Sequence, residues 1–341
     1  MSRHPLYAFA AAATAVALTL SGCASSEPAE DADPAASGSF PVTIEHALGE
    51  TTIDAEPERV VTLGWGSSDA AIALGVVPVA IPFDGYAGDE NGVLPWIAEA
   101  LEEDGAETPM ILPNGDEPAY EDIAAAEPDL ILATYSGVTQ EQYDLLSEIA
   151  PVVAYPDEPW ATPWRELIET TGTALGKTDE AEQVLADIDE EVQAAADAHP
   201  EFQGKSIALT SDTAGTFYVY KEADPRVAFT LDLGFEHATA VDDLANGEDS
   251  FYYMLSYEEL DKLESDVIVN FGATQEETDA FLSASYAQVM PQVQNGAVAS
   301  VVGPAFVASV SPPTALSLTW GLDDYVALLS EAALAADAAA E

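Results

Sequence analysis

The groups able to do chemistry in this chain of 341 residues are few, and their spacing suits little of it. Its one cysteine, Cys23, cannot close an internal disulfide or build a thiolate cluster. Past the first few residues the histidines are His46, His199 and His237, far apart and without ligand spacing, so bare zinc or manganese finds no donor set. The sequences G-x-S-x-G, G-x-x-x-x-G-K-[ST], H-E-x-x-H and G-x-G-x-x-G are all absent. Paired carboxylates could be found anywhere among 62 acidic residues, so they say nothing for glycosidase chemistry. A secreted α/β hydrolase is the rival reading; non-covalent recognition is the favoured one.

Positive charge is scarce enough to count. Eight basic residues face 62 acidic ones, a net charge of -54, which argues against nucleic acid as a partner because phosphate binding needs a basic surface. Acids spread along the whole chain suggest a solvated surface adapted to high salt, where screening relieves self-repulsion. Past Arg3 the cations are Arg59, Arg165, Arg226, Lys177, Lys205, Lys221 and Lys262. Arg226, in "KEADPRVAF" with Lys221 nearby, is the best candidate to donate hydrogen bonds to the oxygens of a ligand; a structural salt bridge is its other use. Tyr86, Trp160, Trp164, Tyr218, Tyr220 and Trp320 lie in loop-like stretches and could wall a bulky, partly apolar ligand. Trp65 and Tyr220 are favoured among the aromatics.

The elements that must position these groups begin outside the fold. A basic start, an apolar run "LYAFAAAATAVALTL" and small residues before the cysteine form the layout of a secretory signal peptide, residues 1–22. Leu20-Ser21-Gly22-Cys23 resembles a bacterial lipobox, which implies lipidation of Cys23. The small, acidic stretch 23–40 reads as a flexible tether.

Within the remaining 300 or so residues the chain repeats itself. "YEDIAAAEPDLIL" at 120–132 matches "YEELDKLESDVIV" at 257–269, with Tyr, Glu, Glu and Asp at equal offsets before an unbroken apolar run. Each copy reads as a short helix leading into a parallel strand covered on both faces. "RVVTLGW" at 59–65 and "KSIALTS" at 205–211 precede the copies in the same order. Two similar α/β lobes, 41–177 and 200–335, follow from this. Between them, Ala181, Val184, Leu185, Ile188, Val192 and Ala195 mark a stripe at helical spacing over 178–199, with Thr178 as the expected N-cap and Pro200 as the stop. Carboxyl ends of parallel strands then bring Trp65, Tyr135, Ser211, Asp212 and Phe271 toward one cleft.

With these features the chain resembles the bacterial substrate-binding lipoproteins that deliver iron-siderophores, haem or cobalamin to ABC importers. "FPVTIEHALGETTIDAEPERVVTLGWGSSDAAIALGVVPVAI", "EDIAAAEPDLILATYSG", "LSEIAPVVAY", "SYEELDKLESDVIVNF" and "SPPTALSLTWGLDDYVALL" carry the match over about residues 40 to 330. The resemblance implies a periplasmic-binding-protein-like class III α/β fold: two similar lobes with central parallel sheets, joined by one long helix across a shallow cleft. It implies a monomer, lipid-anchored at Cys23 on the extracytoplasmic face of the cell membrane, whose partners are a ferric siderophore and an ABC permease with its ATPase. Glu121 and Glu258, one in each repeat, would dock on basic residues of that permease. Trp65, Tyr86, Tyr135, Tyr220, Arg226 and Trp320 are the expected ligand contacts. No intrinsic cofactor is expected, since iron(III) arrives inside its chelate, and few cations favour a neutral or cationic hydroxamate over an anionic catecholate. Haem or cobalamin is the alternative within the same fold.

Overall fold

A computed structural model describes residues 40–115, 117–247 and 251–341. The signal peptide, Cys23 and all but the end of the tether lie outside them. Among the described residues no helix is long and apolar enough to cross a membrane.

A hairpin of β1 (Val42–His46) and β2 (Gly49–Ile53) opens the fold. A first sheet follows from β3 (Val60–Thr62), β4 (Ala80–Pro82), β5 (Met110–Leu112), β6 (Leu130–Ala133) and β7 (Val152–Ala154), ordered β5-β4-β3-β6-β7 and parallel throughout. A second sheet contains β8 (Ser206–Thr213), β9 (Thr216–Tyr220), β10 (Glu236–His237), β11 (Tyr252–Leu255), β12 (Val267–Gly272) and β13 (Val298–Val302), ordered β11-β9-β8-β12-β13 with β10 also on β8. Its centre β8-β12-β13 is parallel, while β9 and β11 add an antiparallel edge.

The repeat is structural. β6 lies beside β3 as β12 lies beside β8, and both β6 and β12 are buried at every residue, as their unbroken apolar runs require. The paired aspartates do the same job twice. Asp129 accepts from the backbone N–H of Glu58 and Arg59 at 2.8 and 2.9 Å and returns its own N–H to the Arg59 carbonyl. Asp266 accepts from the Ser206 N–H at 2.7 Å and donates to the Ser206 carbonyl. Each therefore pins the chain where it enters the neighbouring strand: Arg59 just before β3, and Ser206, the first residue of β8.

The long helix runs Thr178–Ala198, with Ala181, Ile188, Val192 and Ala196 buried and Val184, Leu185 and Ala195 packed half-buried on the core. Its cap lies one residue earlier than expected: Lys177 is the cap residue, with no side-chain capping bond, and Thr178 is already helical. Gly176 ends the preceding helix Trp164–Leu175 with φ +69°, and the Lys177 N–H returns to the Gly172 carbonyl at 2.7 Å, so this left-handed link leads into the long helix without a side-chain cap. One continuous core holds Val60, Leu130 and Val153 of the first sheet with Ile207, Val267 and Val269 of the second, and Ile188 and Val192 of the helix. Arg165 adds a surface tie, to Asp189 at 2.6 Å and Asp232 at 2.9 Å.

The C-terminal segment returns toward the first sheet before its last helix, Ser317–Ala340. Ala308 packs among Ile72, Ile81 and Trp96, and Thr314 bonds to Asp69. The same helix further on belongs to the second sheet, through Tyr325 to Thr230 at 2.7 Å and Lys205 to Asp337 at 2.8 Å.

Candidate functional site

A cavity of about 770 Å³ opens at the carboxyl ends of the first sheet. Among the described residues its aromatic wall is Trp65, Phe83, Tyr86 and Trp160, and the charged side chains of its lining are Asp69, Asp84 and Glu117, with no lysine or arginine. β3 delivers Trp65 through Gly64, whose φ of +76° brings the chain against the end of β6, so that the Trp65 N–H meets the Tyr135 carbonyl at 2.9 Å. A side chain on Gly64 would overlap that carbonyl. Trp65 Nε1 donates to the Pro312 carbonyl at 3.3 Å, which anchors the indole.

Beside this cavity stands a cluster built from both sheets. Tyr135, buried just past β6, meets Trp160 edge to face at 6.0 Å. Burial pushes its hydroxyl well above the usual tyrosine range; nearby Asp224 adds to this and Arg226 opposes it. Arg226 stacks on Tyr220 at 3.9 Å from the ring centroid and lies 5.8 Å from that of Phe271. Asp224 caps the helix Pro225–Asp232 by accepting from the Arg226 N–H at 2.9 Å, and the same oxygen accepts from Arg226 Nε at 2.7 Å. Burial works against the guanidinium charge, but Asp224 and the two tyrosines more than offset it, so Arg226 stays charged. Its pairing with Asp224 leaves the cluster with donors but no net positive charge.

Five of the six expected contacts therefore come together. Trp65 and Tyr86 line the cavity; Tyr135, Tyr220 and Arg226 form the cluster. Tyr86 is half exposed, and its hydroxyl is pushed up by burial, by Glu277 of the helix after β12 and by Tyr220 of β9. Trp320 is not among the lining residues; in the first turns of its helix it packs on Trp96 at 5.5 Å. Several loop-like stretches belong instead to regular elements: Tyr218 and Tyr220 are in β9, Trp164 opens a helix and is buried, and Trp320 is helical. The period-two burial of "TFYVY" was the available signal for β9.

Two acids escaped notice. Asp224 had a local signal, an aspartate before proline at a helix start. Asp69 had none among so many acids. It is buried in the first turn of the helix Ser67–Ala73, accepts from Trp96 Nε1 and Thr314 Oγ1 at 2.5 Å each, and burial pushes its pKa up to about 6 against the pull of those bonds. Glu121 and Glu258 are exposed second residues of their helical turns, Tyr120–Ala125 and Tyr257–Lys262. Among the described residues no group of three or more His, Cys, Asp or Glu is placed to hold a metal ion.

Comparison with known proteins follows this geometry. The family described as periplasmic binding protein matches residues 60–302. "Probable siderophore-binding lipoprotein YfiY" of Bacillus subtilis (strain 168) is 30% identical over 266 residues, 74% of this chain and 75% of that one. "Fe(3+)-citrate-binding protein YfmC" of the same organism is 26% identical over 254 residues, 74% of each chain. Among solved structures, PiaA of Streptococcus pneumoniae TIGR4 in complex with ferrichrome is 34% identical, with a TM-score of 0.77 over 86% of this chain and 99% of that one.

Proposed function

The chain belongs to the periplasmic binding protein family, and from that premise we propose that it captures a ferric siderophore of the neutral or cationic hydroxamate type for an ABC importer. The observation that carries the ligand class is the charge of the cleft. Among the described residues its cavity wall combines four aromatic side chains with three acids and no cation, and the guanidinium beside it is already paired with Asp224. A highly anionic chelate would meet repulsion there with no net positive charge to offset it, whereas a neutral hydroxamate complex can stack on the aromatics and accept from Arg226 and the tyrosine hydroxyls. The ferrichrome complex of PiaA, at 34% identity, supports the same class, since ferrichrome is such a chelate.

Glu121 and Glu258 are the proposed contacts with basic residues of the permease, and their equal offsets in the two repeats support the pairing. The lobes 41–177 and 200–335, joined through 178–199, work as a monomer. Lipidation at Cys23, supported by the lipobox-like stretch and by lipoprotein relatives, holds the protein to the extracytoplasmic face of the membrane.

Tryptophan fluorescence tests the ligand, because Trp65 and Trp160 line the cavity. Ferrichrome and ferrioxamine B should quench saturably and more tightly than ferric citrate or ferric enterobactin. Tighter quenching by an anionic chelate, by haem or by cobalamin, or none by any of them, overturns the assignment.

A further inference from the structure

β8 ends at the cluster, and its last residues alternate between two faces as a strand requires. Ser211 serves one face: its hydroxyl donates to the Phe271 carbonyl at 3.1 Å and bonds the Tyr220 side chain. Asp212 serves the other, accepting from the Tyr257 hydroxyl at 2.5 Å and the Tyr286 hydroxyl at 2.9 Å. The two rings pack at 4.2 Å between centroids. Tyr257 is the residue before Glu258 and opens the short 3₁₀ helix that presents it, capped where Ser256 Oγ accepts from the Glu258 N–H at 3.3 Å. The first repeat has a looser counterpart: Tyr120, before Glu121, donates to Glu117 of the cavity wall at 3.4 Å.

We propose that Asp212 is the positioning residue for the second docking glutamate. Through the Tyr257 hydroxyl it fixes the turn that aims Glu258 at a basic partner surface, and it does so from the strand end whose preceding residue holds the candidate ligand cluster. A hydroxyl bonded to a carboxylate is a strong, short interaction, and its loss frees the turn while the ring packing on Tyr286 remains. This rests on the docking role of Glu258 proposed above.

The experiment compares Tyr257→Phe, Asp212→Ala, Glu258→Ala and the double variant Tyr257→Phe/Glu258→Ala, each in the full chain. Amide exchange on the purified protein should speed up at residues 257–260 in Tyr257→Phe and Asp212→Ala. The affinity of Tyr257→Phe for ferrichrome, read by tryptophan quenching, should stay within about twofold of the parent. Maximal uptake of radio-iron ferrichrome by cells carrying the variant in place of the parent should fall about tenfold. In the Glu258→Ala background, Tyr257→Phe should lower uptake no further, an epistasis that a merely structural hydroxyl would not produce. Unchanged exchange in the turn, normal uptake by Tyr257→Phe while Glu258→Ala is impaired, or effects that simply multiply would each overturn the positioning role and leave the docking role standing. Normal uptake by Glu258→Ala would remove the docking role and this inference with it.

Discussion

Asp69 gives a prediction whose sign and size both follow from its burial. In the unfolded chain its carboxyl titrates near the ordinary 3.8; in the fold, removal from water pushes it up to about 6, even though Trp96 and Thr314 donate to it. A folded-state value above the unfolded one means that the native protein holds this proton more tightly. The stability it confers is complete below about pH 4 and is lost as the pH rises through about 6. Each pH unit between those values corresponds to about 1.4 kcal/mol, so at neutral pH the buried carboxylate costs about 3 kcal/mol relative to its protonated form. Asp69→Asn keeps an oxygen for the two donors and removes the titration. Urea denaturation of parent and variant, at matched pH from about 4 to about 8 in molar salt to screen the other acids, should show the variant gaining about 3 kcal/mol on the parent across that range. Any constant offset from the new amide drops out of the trend. A difference independent of pH, or one that moves in the parent's favour as pH rises, would refute the claim that this carboxyl is ionised at a cost inside the fold.

Arg226→Met alone should destabilise by about 3 to 5 kcal/mol in thermal or urea unfolding, because Asp224, 1% exposed, is left as an unpaired buried charge; Asp224→Asn/Arg226→Met should recover most of that while ferrichrome affinity stays reduced. Gly137→Ala puts a methyl group where Trp160 Nε1 sits, so ferrichrome affinity should fall about tenfold while the melting temperature barely moves, since Trp160 is 45% exposed. Asp129→Ala and Asp266→Ala should cost about 0.5 to 1.5 kcal/mol each in urea unfolding, and by similar amounts, because both remove the side-chain bond that pins the chain at the entry to a central strand.

What the sequence made legible is what it states twice. Tyr120 with Tyr257, Glu121 with Glu258 and Asp129 with Asp266 fall at equal offsets, and each pair occupies equivalent places in the fold. Parallel strands β6 and β12 were readable because burial on both faces forces an unbroken apolar run. The long helix is readable from its stripe, and only its cap differs, at Lys177 instead of Thr178, because the left-handed link at Gly176 replaces a side-chain cap. Nothing local announced that residues 308–314 return to the first sheet, since the partners of Thr314 and Ala308 are hundreds of residues away in sequence.

The cleft was harder to read than the frame for a related reason. The first sheet has no counterpart to the antiparallel β9–β11 edge, and that edge brings Tyr220 in and leads directly to Asp224 and Arg226. Tyr135 just past β6 corresponds, at the repeat's own offset, to Gly272 of β12, so the two strand ends present different side chains to the cleft. The shared residues build the strands and present the two glutamates, functions that both halves must perform alike. A chelate lying in one asymmetric cleft asks something different of each half, so the residues proposed to hold it belong where the repeat breaks down, and internal comparison cannot find them.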